Sequence, residues 1–110
     1  MADSKGTYLR FYVHERRRRK GEPLYDWLLN RAKALGIPGG SAFRAIAGYG
    51  RHGVLHEQRF FELSADLTVE VEFVVSEQQA ELLLEAIRKE GIHVVYAKLP
   101  ADFGVIDGEN

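Results

Sequence analysis

The chain has 110 residues, 45% hydrophobic and 28% charged, which is enough for one packed domain with a single core. A formal net charge of -1 leaves no global field to draw it to nucleic acid or to an anionic membrane. The absence of cysteine excludes a disulfide framework, a thiolate metal site and a thiol nucleophile. No apolar run approaches the roughly 20 residues of a membrane span, and the polar start MADSKGT is unlike a signal peptide, so a cytoplasmic location is expected.

Residues 1–6 read as a disordered lead, 7–100 as the folded domain and 101–110 as a tail that frays unless a partner chain holds it. In TYLRFYVH, residues 7–14, Leu9, Phe11 and Val13 alternate with Tyr8, Arg10, Tyr12 and His14, as in a half-buried strand. The polar connector ERRRRKGE follows, and Pro23 opens a helix whose apolar stripe is Leu24, Trp27, Leu28, Ala32 and Leu35, with Gly36 to end it. A second strand is expected over 41–49, then a long connection over 50–66 in which 59–63 could pair back. The third strand, 67–75, puts Leu67, Val69, Val71, Phe73 and Val75 on one face and Thr68, Glu70 and Glu72 on the other. Ser76 and Gln79 have the spacing of a capping box for a second helix, with buried stripe Ala80, Leu83, Leu84 and Ile87 and an end at Gly91. A last strand, 92–99, is expected to stop at Pro100.

The order β-α-β-β-α-β predicts an α+β fold of ferredoxin-like βαββαβ type. Its antiparallel sheet has spatial order 4-1-3-2, with both helices on one face. In that topology the basic run, the connection after strand two and the Glu90–Gly91 turn emerge at the same end. The segment GGSAFRAIAGYGRHGVLHEQ, residues 39–58, then carries the most chemistry. Gly48, Gly50 and Gly53 let the backbone approach a ligand with its N–H groups exposed. Arg51 supplies a forked cation suited to carboxylate or phosphate, and His52 and His56 change charge near neutral pH. With Tyr49, and with Arg17 and Arg18 from the run Arg16–Lys20, these are the candidate anion-binding residues. The alternatives are a hairpin tip without a ligand and, for the run, a solvated face or a dock for an acidic partner.

Other chemistries fare worse. An open ferredoxin-like sheet can stack RNA bases, and Tyr8 and Tyr12 could serve. Glu70 and Glu72 would share that face and repel phosphates, so no nucleic acid is expected. The same face, with Arg10, Arg44 and Ile46 added, is amphipathic and suits either a subunit interface or water, with cross-strand pairs from both arginines to Glu70 and Glu72. None of His14, His52, His56 and His93 has helical metal-ligand spacing, Glu62 and Asp66 have no identifiable partner, and no hydrolase, P-loop or dinucleotide motif is present. No enzyme activity and no bound cofactor or metal are expected.

Gly21-Glu22-Pro23-Leu24-Tyr25, the segment RAIAGYG from Arg44 to Gly50, and Leu63-Ser64-Ala65-Asp66-Leu67, at these spacings, resemble the bacterial "domain of unknown function 190" proteins. The likeness runs from about Tyr8 to Leu99. That family is grouped by fold with the PII-like signalling proteins. The resemblance implies a homotrimer with its three sheets facing inward. It also implies a small effector, often an adenine nucleotide, bound between subunits at the base of the loop after strand two. That loop, here Tyr49 to Gln58, would dock on a partner such as a membrane transporter or channel. PII proteins proper have a longer glycine- and lysine-rich loop where this chain has Lys89-Glu90-Gly91-Ile92, so the effector could be another nucleotide or a small anion. The more distant CutA divalent-cation tolerance proteins share the trimeric fold, which leaves a metal alternative through His52 and His56, and a ligand-free scaffold is the third reading.

Overall fold

Alternating side chains dictate the central strand. β1, Ser4–His14, buries Leu9, Phe11 and Val13 and turns Tyr8, Arg10 and Tyr12 to the other face. A computed structural model describes residues 4–49 and 67–108. After β1 come the short strands β2, Arg18–Arg19, and β3, Glu22–Pro23, then helix α1, Leu24–Ala34. β4, Ser41–Arg44, β5, Thr68–Val75, helix α2, Glu77–Lys89, and β6, Val95–Phe103, complete the order.

The main sheet is antiparallel in the order β4-β5-β1-β6, the expected ferredoxin-like arrangement. One face packs on both helices. Leu9, Phe11 and Val13 of β1 and Val69, Val71, Phe73 and Val75 of β5 meet Leu24, Trp27, Leu28 and Ala32 of α1. Ala80, Leu83, Leu84 and Ile87 of α2 close the layer. Each large apolar side chain so buried contributes about 1.5–3 kcal/mol, which explains why both helical stripes point inward. Pro23 sits just ahead of α1, Gly36 follows it with φ 87°, and Gly91 follows α2 with φ 70°. The capping box is formed: Ser76 Oγ accepts from the Gln79 N–H at 3.1 Å, and Gln79 Oε1 accepts from the Ser76 N–H at 3.0 Å.

Several expectations differ from the structure. β4 ends at Arg44 rather than at residue 49. Its last ladder bond runs from the Ala45 N–H to the Thr68 carbonyl, and β5 starts only at Thr68. Arg44 and Ile46 do not belong to the open face. Arg44 lies opposite Val69, on the helix-side row, whereas Phe43 lies opposite Glu70 and takes the open-face place. Ile46 is past the strand and fully exposed. β6 does not stop at Pro100 but runs through it, because β6 is an edge strand and a proline there can turn its missing donor outward. Residues 4–6 are paired strand rather than disordered lead, matched to Ala101, Asp102 and Phe103 of the tail. Gly6 makes that pairing compact, since a Cβ there would lie 2.2 Å from the Val75 carbonyl oxygen and 2.6 Å from the Phe103 ring. The expected pairing of 59–63 lies outside the described residues.

Candidate functional site

The basic run folds into a hairpin. Lys20 and Gly21 both have positive φ, 51° and 86°, as a two-residue turn of type I′ requires, and Arg18 and Arg19 pair with Pro23 and Glu22. The expected polar connector is thus a small structured element, and its cations have definite partners. The Arg17 guanidinium donates to the His93 carbonyl. Arg19 donates to the Glu90 carbonyl at 3.1 Å and to the Glu90 carboxylate at 2.5 Å, with Lys20 at 3.6 Å from the same carboxylate. The hairpin therefore clasps the end of α2, where orphan carbonyls and the negative end of the helix dipole favour cations. Arg19, and then Lys20, hold the Glu90 carboxyl below its ordinary pKa. Arg18 donates back to the Gly21 carbonyl of its own turn and stays exposed.

Three connections meet at this end of the sheet. Glu15 follows β1 and takes the Arg44 guanidinium at 2.9 Å, which ties the start of the hairpin to the end of β4. The Glu15 N–H also bonds the Leu67 carbonyl. The chain leaves β4 here, and Gly48 and Tyr49 lie exposed beyond it. Of the candidate ligand residues, Arg17 and Arg18 are thus brought to the end where Gly48 and Tyr49 depart. Gly50, Arg51, His52, Gly53 and His56 lie outside the described residues. Glu15, Arg19, Arg44 and Glu90 were missed as organisers of this end, although a basic run placed by topology beside a helix C-terminus was a signal for them. His14 accepts through Nδ1 from the Arg16 N–H. Among the described residues no three His, Asp or Glu side chains cluster as metal ligands.

The open face is the second feature. Arg10 sits at its centre with Nε 3.1 Å from Glu72 and an Nη 3.7 Å from Glu70, while its guanidinium lies over the Tyr8 ring. The Tyr8 hydroxyl donates to Glu72 at 2.5 Å. The hydroxyls of Tyr8 and Tyr12, and then Glu72, push the Arg10 pKa above its ordinary value, so the cation is permanent. Around this network stand apolar side chains with no helix over them: Phe43, Val74 and Leu99 are all exposed. The register places Val74 and Leu99 on either side of Tyr8. At the far end from the hairpin, a cleft of about 480 Å³ is lined by Lys5, Thr7, Glu77, Lys98, Pro100 and Asp102. Its lysines are already matched, Lys5 with Asp102 and Lys98 with Glu81, so it offers an anion no uncompensated cation.

The DUF190 family, described as "Uncharacterized ACR", matches residues 6–95. This chain is a DUF190 protein. A UPF0166 protein of Aquifex aeolicus is 38% identical over 84 residues, covering 76% of this chain and 80% of that one. A UPF0166 protein of Methanocaldococcus jannaschii is 32% identical over 95 residues, covering 83% and 87%. Among solved structures, a Thermus thermophilus protein classed as PII-like signalling superposes with TM-score 0.61 at 18% identity, covering 92% of this chain and 90% of that one. A nitrogen regulatory PII-like protein of Thiomonas intermedia, bound to ADP, AMP and bicarbonate, gives TM-score 0.61 at 18% identity, covering 96% and 99%. The DUF190 chain thus has the PII-like fold its sequence resembles. No helix among its described residues is long and apolar enough to cross a membrane.

Proposed function

We propose that this DUF190 protein is a cytoplasmic, non-enzymatic regulatory homotrimer. It takes a small anionic effector, an adenine nucleotide or a smaller anion, in clefts between subunits at the hairpin end of the sheet. The loop that leaves β4 relays occupancy to a partner protein, such as a membrane transporter or channel. One observation carries the reading. The basic hairpin, the end of α2 and the exit of the glycine-, arginine- and histidine-bearing segment converge at a single end of a PII-like sheet. The ADP, AMP and bicarbonate bound by the Thiomonas protein support the ligand class. The exposed apolar rim around Arg10 supports assembly through the open face, because such a patch is otherwise left in water.

The clasp refines which cations serve. Arg17 and Arg19 reach across to the His93 carbonyl and to Glu90, so they shape the cleft wall, whereas Arg18 bonds within its own turn and stays exposed to serve an effector together with Arg51. A thermal-shift screen of adenine nucleotides, bicarbonate, dicarboxylates and divalent cations tests the proposal, since a ligand specific to the native state raises Tm by mass action. Stabilisation by a nucleotide or other anion, with a trimer mass by light scattering, is the expected result. A shift with divalent cations alone would replace it by the CutA-like metal reading. A monomer with no shift from any compound would reject it.

A further inference from the structure

β1 and β6 continue as a pair beyond the body of the sheet. The last β1–β5 match is Thr7 with Val75, yet Gly6, Lys5 and Ser4 go on to pair with Ala101, Asp102 and Phe103. At about 3.3 Å per residue, this two-stranded arm carries Phe103 roughly 10 Å past the last three-stranded row. The principal extents of the molecule are 52, 32 and 25 Å. Beyond the arm, Val105 and Ile106 are 74% and 98% exposed, two large apolar side chains held out on a segment that begins clear of its own core.

The same end of the open face carries the complementary surface. Val74 and Leu99, on either side of Tyr8, are 46% and 59% exposed, and the charged groups of that face begin only in the next row, at Arg10 and Glu72. Within one chain the tail does not cover this patch, for all four side chains stand in water together. The described residues of each copy thus include an unfilled apolar projection and an unfilled apolar patch, displaced from each other along the arm. Such a pair satisfies itself head to tail, and a head-to-tail contact closes when it repeats around a ring.

We infer that Val105 and Ile106 of one copy cover the Val74–Tyr8–Leu99 patch of the next copy, so that the C-terminal segment is a strap between subunits. The inference rests on the homo-oligomeric part of the function proposed above. It makes the patch continuous with the face through which the sheets would meet.

The cysteine-free chain permits a direct test. Ile106→Cys is prepared in one batch and Leu99→Cys in a second batch carrying a larger tag, and the two are mixed, reassembled and oxidised. The expected product is a mixed disulfide of summed mass, absent when Glu85→Cys, on the outer side of α2, replaces Leu99→Cys. In parallel, Ile106→Asp should raise the dissociation concentration in analytical ultracentrifugation by about tenfold or more, the scale of losing one buried isoleucine. Its urea midpoint when dilute should not change, because Ile106 touches no core in the single chain. Wild-type assembly together with an unaffected Ile106→Asp variant and no mixed disulfide would overturn the strap and leave the oligomer standing. A 106–99 disulfide formed within a single doubly substituted chain would overturn it as well. A wild-type chain that is monomeric at every concentration would overturn both the strap and the trimer.

Discussion

Gly40 is where a single methyl group should disturb both the fold and the site. It immediately precedes β4, and a Cβ there would lie 2.3 and 2.6 Å from two atoms of the Phe73 ring and 3.2 Å from a Leu29 methyl. The ring contact is about 1 Å short of ordinary van der Waals distance. Phe73 cannot simply yield. It is 2% exposed and set edge-on to Phe11 at 6.3 Å between centroids, in the middle of the core. Gly40→Ala must therefore force an off-rotamer ring or push β4 outward, a strain of about 1–3 kcal/mol. The loss of unfolded-chain entropy offsets only about 0.4–1 kcal/mol of that. A net loss of about 1–2 kcal/mol corresponds to a Tm lower by roughly 5–10 °C for a domain near this size. Gly39 is the internal control, because a Cβ there meets nothing within 4 Å and its φ is not positive, so Gly39→Ala should be neutral or slightly stabilising. Urea unfolding followed through Trp27, the chain's single tryptophan and part of the core, reads both variants at one protein concentration. Phe73→Leu in the Gly40→Ala background should cost less than Phe73→Leu alone, which a double-mutant cycle would report as coupling. Gly40→Ala as stable as wild type, or Gly39→Ala equally damaging, would refute the close-approach argument. Displacing β4 also moves the point where the chain leaves for the segment proposed to hold the effector, so Gly40→Ala should weaken any anion found in the screen.

Ser76→Ala removes the capping box and should destabilise the protein by about 1 kcal/mol, whereas Ser76→Gly should cost only a few tenths, measured by chemical denaturation. Glu90→Gln should lower stability at pH 7. The folded pKa of Glu90 is depressed by Arg19, so its contribution is present above the ordinary value of 4.5 and is lost as pH falls through the lower folded value. The gap between Glu90→Gln and wild type should accordingly close on acidification, and a gap that widened would refute the clasp. Arg51→Ala should weaken the effector by about tenfold or more in calorimetry while leaving assembly intact, as expected for one lost charge-assisted hydrogen bond.

The periods of the sequence determined most of the fold. Alternation at Leu9–Phe11–Val13 and Val69–Val71–Phe73–Val75, helical stripes around Trp27 and Leu83, and the Ser76–Gln79 cap are local properties, written in side-chain spacing and satisfied by a single sheet face and two helix faces. From their order followed the sheet topology and the convergence of the basic run with the end of α2. Tertiary structure decided what depends on pairing. β4 stops at Arg44 because its partner begins at Thr68, and Phe43 rather than Arg44 joins the open face because register sets the face, and register is a relation between two strands. Pro100 reads as a stop in sequence, yet it is tolerated on an edge that only the assembled sheet defines. Likewise, the five consecutive cations Arg16–Lys20 look alike as letters. Only the positive-φ turn at Lys20–Gly21 and the approach of the α2 C-terminus divide them, tying Arg17 to the His93 carbonyl and Arg19 to Glu90 while Arg18 stays at the surface. Composition fixes how much charge a segment carries, but the partner that each charge meets is set by contacts between residues more than 70 positions apart.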